Sequence, residues 1–457
     1  MRAVVVTALC VAVAAVLGVT AQNRTGTLTI YYIDTEGGQS TLFVGPAGDS
    51  LLVDTGNAGE RDLGRIAETL RTAGVTKIDH LWTTHYHGDH VGALLELAKQ
   101  FPVGHFYDHG KPNQNDRIVS AQFLTAYETL SSGKRTIVKP GDKVKMSGLD
   151  ITAVASANQF IRSNLPGGGG QNASCAGVKQ KDESAYPDPD NGDSAGFVLS
   201  YGRFRTVDLG DLTWNGELDL MCPTNRIGTV DLYLTSHHGL EKSGSPALVQ
   251  ALRPRVAVMN NGTRKGGTAE VFAGLQETVG IEDLWQLHWS YNVGLENAPA
   301  RFIANVDDAA TIAALLTTPA PTPGAPPAGR GGGGGFGAPG GPAGPGRPGG
   351  PAPAPATQAP PGGPAAPGGQ AAPGAAPGAA PGSAPGAAPA GAGVPGGGPG
   401  RGPGAPGGFG GGGRGPGGPG AAAHTPAHLI KVTALQDGTF TVTNTRNGFS
   451  KTYRPRP

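Results

Sequence analysis

Two packed β-sheets with helices on their outer faces, an α/β class, is the architecture this sequence predicts. Three observations carry it. Strand-like runs outnumber helical ones, they come in two successive half-sets, and two of them run straight into histidine clusters, which places chemistry at strand ends.

The first half-set opens with strands and turns at Leu28 to Ile33, Ser40 to Val44 and Ser50 to Val53, followed by a helix at about Gly64 to Ala73. Ile78 to Thr84 reads as a strand, and Val91 to Phe101 has apolar residues at helical spacing behind it. The second half-set begins near Asp150 to Ala155 and continues with Phe197 to Tyr201, Phe204 to Leu209, Val230 to Ser236 and Val256 to Asn260. Arg162 to Asp193, with Gly167 to Gly170 and many charges, is expected to be loop.

Between the strand Ile78 to Thr84 and its helix lies His85-Tyr86-His87-Gly88-Asp89-His90. With 11 His in 457 residues, this pattern should arise by chance in roughly one such chain in several thousand. Residues i and i+2 of an extended segment share a side, so His85 and His87 can hold one metal. Gly88 permits a turn that lets Asp89 and His90 face a neighbouring position. Two metals roughly 3.5–4 Å apart is the arrangement that activates a water for hydrolysis. The bland alternative is an exposed His-rich loop.

Other strand ends repeat the pattern. Asp54 closes the apolar run Leu51-Leu52-Val53, where an unpartnered acid would be costly; a hydrogen bond to a ligating His would explain it, a turn-forming Asp before Gly56 being the alternative. Asp211 follows Gly210 after another apolar strand and is placed to bridge two metals. Leu232 to Ser236 runs into His237-His238-Gly239, of which one imidazole need be a ligand. Trp285, His288 and Trp289 read as ordinary core, and the basic Gly-rich loop Asn261 to Gly267 lacks the spacing of a phosphate cradle.

The termini and composition set further expectations. Arg2, the apolar run Ala3 to Val19 and the small residues before Gln22 have the build of a signal peptide over 1–21, so export to a periplasm or the outside is expected, with an uncleaved anchor as the alternative. No membrane span is expected after cleavage. Cys175 and Cys222 are expected to bridge in such a compartment, two separate buried thiols being the alternative. A formal net charge of +1 predicts no strong attraction to nucleic acid. The segment 318–423 concentrates the Gly and Pro, has no acidic residue, and is expected to be a disordered insertion; lacking a strict third-residue glycine, it is not collagen. After it, Leu429 to Thr433, the turn signal Asp437-Gly438 and Thr439 to Thr443 predict a β-hairpin, within 428–457, that pairs with the sheet of a main domain spanning 27–317.

Taken together, Gly38-Gln39-Ser40, Leu52 to Gly56, His85 to His90, Gly210-Asp211 and His237-His238-Gly239 resemble the metallo-β-lactamase superfamily and, within it, the soluble hydrolase domain of ComEC-type DNA-uptake proteins. They run in family order from about Thr27 to Asn260. The resemblance implies an αβ/βα four-layer sandwich with metals at one edge of the sheets. It makes His85 and His87 ligands of a first metal, Asp89 and His90 of a second, and Asp211 the bridge; His238 would complete the second site with His237 as the fallback, and Asp54 would be the buried acid behind a ligand. Many members carry a further His where this chain has Asn191-Gly192-Asp193-Ser194; ComEC-like sequences have a similar Asn-x-x-Ser, and Asn191 or Asp193 would then complete the first shell. The activity implied is hydrolysis of an ester-like substrate, a phosphate ester before a β-lactam, using one or two Zn²⁺ ions or Mn²⁺, with Asp89 orienting or deprotonating the water. A non-catalytic binding module braced by metal and a DNA-processing component are the alternatives.

Overall fold

The computed structural model describes residues 26–113, 119–184, 188–308, 310, 313 and 424–456. The segment 1–21 and the segment 318–423 lie outside the described residues.

Two nine-stranded sheets form the body. Across the first, the order is Ser450–Tyr453, Phe440–Asn444, Ile430–Ala434, Leu28–Tyr32, Thr41–Val44, Ser50–Val53, Ile78–Trp82, Val103–Asp108 and Arg135–Ile137. Across the second it is Ile303–Asn305, Asp283–His288, Val256–Met259, Leu232–Leu234, Phe204–Asp208, Gly196–Tyr201, Leu149–Ser156 and Lys143–Met146, with Gln159–Phe160 on a side branch.

Period-2 alternation sets the layers. Leu28, Ile30, Phe43, Leu51 and Val53 face Phe197, Leu199, Leu232, Val256 and Trp285 in a core between the sheets. Leu42 and Leu52 point the other way, onto Leu63, Ile66 and Leu70 of helix Glu60–Thr72 and Leu94 and Leu97 of helix Leu94–Gln100. On the far side, Val207, Tyr233 and Ala257 pack beneath helices Trp214–Met221, Pro246–Leu252 and Ala269–Gln276. Helices therefore cover both outer faces, which makes the fold the αβ/βα four-layer sandwich.

The C-terminal segment enters the first sheet directly. Ile430–Ala434 pairs antiparallel with Leu28–Tyr32, with Ile30 opposite Val432. A third strand, Ser450–Tyr453, extends the expected hairpin; three of its four side chains are not buried, so it carries little apolar signal. Its Tyr453 is buried, and Trp285 Nε1 donates to the Tyr453 hydroxyl at 3.0 Å.

Some boundaries move. The first helix starts at Glu60 rather than Gly64, because Gly59 at φ 109° makes the entry turn. The helix expected from Val91 to Phe101 is split into Gly88–Val91 and Leu94–Gln100. The expected loop Arg162 to Asp193 holds the turns Ala173–Cys175 and Pro189–Gly192 and a short strand at Gly170–Gln171. Cys175 and Cys222 are joined by a disulfide, with Cα atoms 5.8 Å apart. No helix among the described residues is long and apolar enough to cross a membrane.

Candidate metal centre

The parallel strands of both sheets end on one side of the sandwich and deliver the site residues there. Ser50–Val53 leads to Asp54, Ile78–Trp82 to His85 to His90, Phe204–Asp208 to Asp211, and Leu232–Leu234 to His237 and His238. Loops beyond the carboxyl ends of parallel strands are free of the hydrogen-bond ladder, so they can turn side chains toward a common point.

Asp89, His90, Asp211 and His238 converge most tightly. His90 Nε2 lies 3.3 Å from His238 Nε2, 3.3 Å from Asp211 Oδ2 and 3.6 Å from Asp89 Oδ2. His238 Nε2 is 3.3 Å from both carboxylate oxygens. Five of the six spacings among these four atoms are 3.3–3.6 Å; a tetrahedron with such edges has its centre about 0.61 of an edge from each corner, about 2.0–2.2 Å, the length of Zn–N and Zn–O bonds.

His85, His87 and Asp211 form a second group, with one donor atom each within 4.8 Å of the others. The His85 and His87 rings stand 4.5 Å apart, as expected of i and i+2 on an extended segment. His85 Nε2 and Asp211 Oδ1 are buried with no hydrogen-bond partner, an unfavourable arrangement for protein atoms alone and the ordinary one for ligands. Asp211, shared by both groups, is placed as a bridge.

Behind the donors stands a buried hydrogen-bond network. Asp54 Oδ2 lies 2.7 Å from His90 Nδ1, and the same carboxylate accepts from the Thr84 backbone N at 2.8 Å and from Thr84 Oγ1 at 2.6 Å. A carboxylate on Nδ1 fixes the tautomer that presents Nε2 to the cluster. Asn260 Nδ2 stands 3.2 Å from His238 Nδ1. Gln39 Nε2 donates to both oxygens of Asp208 at 3.0 Å, and burial pushes that carboxyl up to about 6. Two glycines permit the close packing: a Cβ on Gly38 would lie 2.5 Å from the Asp89 carbonyl oxygen, and Gly210, at φ 55°, would place one 2.7 Å from Thr84 Cβ.

The charges call for a cation. Burial, together with His90 and His87, holds His85 well below its ordinary range, in the neutral form that ligates metals. Burial would lower His90 too, but Asp211, Asp89 and Asp54 outweigh it and raise that imidazole well above its usual value. Burial would raise Asp89 and Asp211, and their cationic neighbours, Lys265 and the imidazoles, override it and hold both well below the carboxylate range. A divalent ion among them would take the place of the proton on His90 and keep both carboxylates ionised.

The remaining sequence candidates fall out as follows. His237 Nε2 is 3.4 Å from Asp211 Oδ2, yet His237 joins neither donor group; burial pushes it down to about 4. His238, in the tetrahedral group, takes the place for which His237 was the fallback. Asp193 accepts from Asn113 Nδ2 at 3.1 Å and joins neither donor group. Asn191 is different. Asp190 Oδ2 accepts from Tyr86 N at 2.7 Å and Ala195 N donates to the Thr84 carbonyl at 2.7 Å, which clamps this segment across residues 84–86. Asn191 Oδ1 is buried there without a hydrogen-bond partner.

One residue escaped sequence reasoning. Lys265 Nζ forms an ion pair with Asp89 Oδ2, and its side chain is 41% exposed, so it stands at the mouth of the centre. The basic loop Asn261 to Gly267 was the available signal. A separate cavity of about 340 Å³ is lined by Tyr86, Lys111, Tyr127 and Arg135 among others, and by none of the clustered donors.

Residues 34–120 match the family model of the metallo-β-lactamase superfamily. An 80-residue stretch is 38% identical to an atrochrysone carboxyl ACP thioesterase of Pseudocercospora fijiensis, covering 18% of this chain and 23% of that protein. A 107-residue stretch is 37% identical to an atrochrysone carboxyl ACP thioesterase of Passalora fulva, covering 23% and 31%. The matched part thus spans less than a third of these relatives' length. Among solved structures, the metallo-β-lactamase fold protein YhfI of Bacillus subtilis is similar at 12% identity and a TM-score of 0.36, over 56% of this chain and 95% of that one. The diiron β-hydroxylase CmlA of Streptomyces venezuelae is similar at 14% identity and a TM-score of 0.30, over 56% and 47%. The segment that matches the family model holds Asp54 and the run His85 to His90.

Proposed function

We propose that the chain is an exported metal-dependent hydrolase that directs a water onto an ester-like substrate. The observation that carries this reading is the convergence of Asp89, His90, Asp211 and His238 beside His85 and His87, with Asp211 common to both groups. One or two Zn²⁺ ions, or Mn²⁺, held there would lower the pKa of a bound water and polarise the scissile ester. Asp89 lies at the rim, where it can orient that water and take its proton. Asp54 and Thr84 keep His90 aimed, and Asn260 does the same for His238. Asn191 Oδ1 supplies the oxygen that completes the first group. Lys265 offers its ammonium to the negative charge of a bound substrate.

An anionic substrate suits that lysine, and a phosphate ester is the leading class. The names of the relatives favour an acyl thioester as the second. The Asn191-to-Ser194 pattern supports the ComEC-like subfamily, while the net charge of +1 argues against DNA as the ligand. The apolar run after Arg2 and the Cys175–Cys222 disulfide support export.

Metal analysis of purified protein, combined with a screen of chromogenic phosphodiester, phosphomonoester, thioester, lactone and β-lactam substrates, tests the reading. Turnover that needs metal and is lost in His87→Ala is the expected result. Bound metal with no turnover on any ester would instead select a metal-braced binding module.

A further inference from the structure

We propose that Glu36, His288 and His424 form a separate cation site, suited to Zn²⁺, that fastens the C-terminal strands to the body of the fold. It stands independently of the hydrolase reading, since it shares no residue with that centre.

The three residues come from distant parts of the chain. Glu36 lies in the loop after strand Leu28–Tyr32, His288 ends strand Asp283–His288, and His424 precedes strand Ile430–Ala434, on the far side of the Gly/Pro-rich segment 318–423. One donor atom from each lies within 4.8 Å of the others. The imidazole rings are 4.8 Å apart, His424 Nδ1 is 3.6 Å from Glu36 Oε1, and His288 Nε2 is 3.8 Å from Glu36 Oε2.

Three ring nitrogens here have no hydrogen bond: His288 Nδ1 and both of His424. Asp34 Oδ1 takes His288 Nε2 at 2.6 Å, which leaves His288 Nδ1, on a fully buried side chain, with no hydrogen-bond partner. The nitrogen that faces Glu36 is Nε2, 3.8 Å from Glu36 Oε2, so an ion bound there would take the place of the proton now shared with Asp34. Both ring nitrogens of His424 also lack a hydrogen bond, although Glu36 and Asp307 stand 3.6 and 3.2 Å away. Glu36 Oε1 accepts from Arg65 Nη2 and from the His424 backbone N, both at 3.2 Å, which holds that carboxylate beside the His424 ring.

Charge points the same way. Asp34, Glu36 and Asp307 bring three carboxylates to the cluster, and Arg65 offsets part of that through Asp34 at 2.9 Å and Glu36 at 3.2 Å. Two imidazoles and a carboxylate, with Asp307 beside them, make a nitrogen and oxygen set of the kind Zn²⁺ takes. Arg65 Nη2 also donates to the His424 carbonyl at 2.7 Å, so the segment entering the C-terminal strands is already gripped where the ion would bind.

Anomalous diffraction at the zinc edge, from crystals of the full chain equilibrated with Zn²⁺ alone, reads the site directly. A peak between Glu36, His288 and His424, separate from any peak at His85 to His238, is expected. In His424→Ala the metal content by mass spectrometry should fall by one ion per chain while the other peaks persist. No peak at this position in the unmodified chain would overturn the proposal, as would an undiminished peak in His424→Ala. The unmodified crystals decide the matter even where the variant fails to fold.

Discussion

Asp54→Asn isolates the part that buried hydrogen bonding plays in metal affinity. Asp54 accepts from the backbone N and hydroxyl of Thr84 and from His90 Nδ1, all at 2.6–2.8 Å, so the position is surrounded by donors. An asparagine of the same shape brings a donor of its own. Turned one way its amide faces Nδ1–H of His90; turned the other it faces the Thr84 N–H. Either choice leaves a buried donor unpaired, at about 1–3 kcal/mol, consistent with a loss of roughly 10- to 100-fold in metal affinity. The metal-free protein carries the same unpaired donor and loses the Asp54 partner of His90, so it should be destabilised as well. Competition for Zn²⁺ against a chromophoric chelator, with melting of the metal-free form alongside, measures both. Weaker binding together with a lower metal-free melting temperature is expected. Unchanged affinity would mean that Asp54 does not set the aim of His90.

Lys265→Ala should raise KM for anionic esters several-fold and leave neutral esters little affected; equal effects on both in steady-state assays would place Lys265 outside substrate binding. Cys175→Ser should lower the free energy of unfolding by up to ~4 kcal/mol, the chain-entropy value for a sequence separation of 47, read by denaturant titration of oxidised protein. Glu217 is fully buried, and burial pushes its carboxyl up to about 7. Its folded form therefore binds a proton that the unfolded chain releases nearer 4.5, so its contribution is full below about 4.5 and is lost as pH rises to about 7, by roughly 3 kcal/mol. Melting of the metal-free chain across that window should show a shallower fall in Glu217→Gln, part of the slope remaining through Asp208; an unchanged slope would exclude Glu217 as its source.

How much could be read from the sequence follows from how local each signal was. The donors were legible because a strand that ends in His-x-His-x-Asp-His or His-His-Gly carries its chemistry within a few residues, and the strand-end acids Asp54 and Asp211 share that property. Asp193 was legible as a residue type, whereas its partner Asn113, 80 positions away, was not. Lys265 belongs to a loop whose glycines announce a turn and nothing more, and its meaning depends on Asp89, 176 positions away. Glu36, His288 and His424 carry no motif at all. The last strand, Ser450–Tyr453, was hidden by polar side chains that face solvent on the edge of the sheet.

Three of the seven non-glycine residues at positive φ among the described residues lie around the donor cluster. Asp54, His237 and His238 all sit in the left-handed region, at φ 58°, 53° and 56°, each at about 1–3 kcal/mol for a side chain that is not glycine. All three lie at strand ends around the donor cluster, where an extended continuation would carry the side chain past it. The turn brings Asp54 onto His90 and His238 onto Asp211. Such a conformation persists only where the surroundings over-determine it, and here they do: the Asp54 carbonyl accepts from Ser40 Oγ, His237 N donates to the Gly210 carbonyl, and the His238 carbonyl accepts from Gly267 N. The first contact lies within the first sheet and the other two within the second, and Gln39 Nε2 on Asp208 joins the two sheets beside them. The strands that come last in the chain then have a role at a distance, because Ile430 and Val432 fill the same inter-sheet core as Val53 and Leu234, the residues from which the ligand-bearing turns depart.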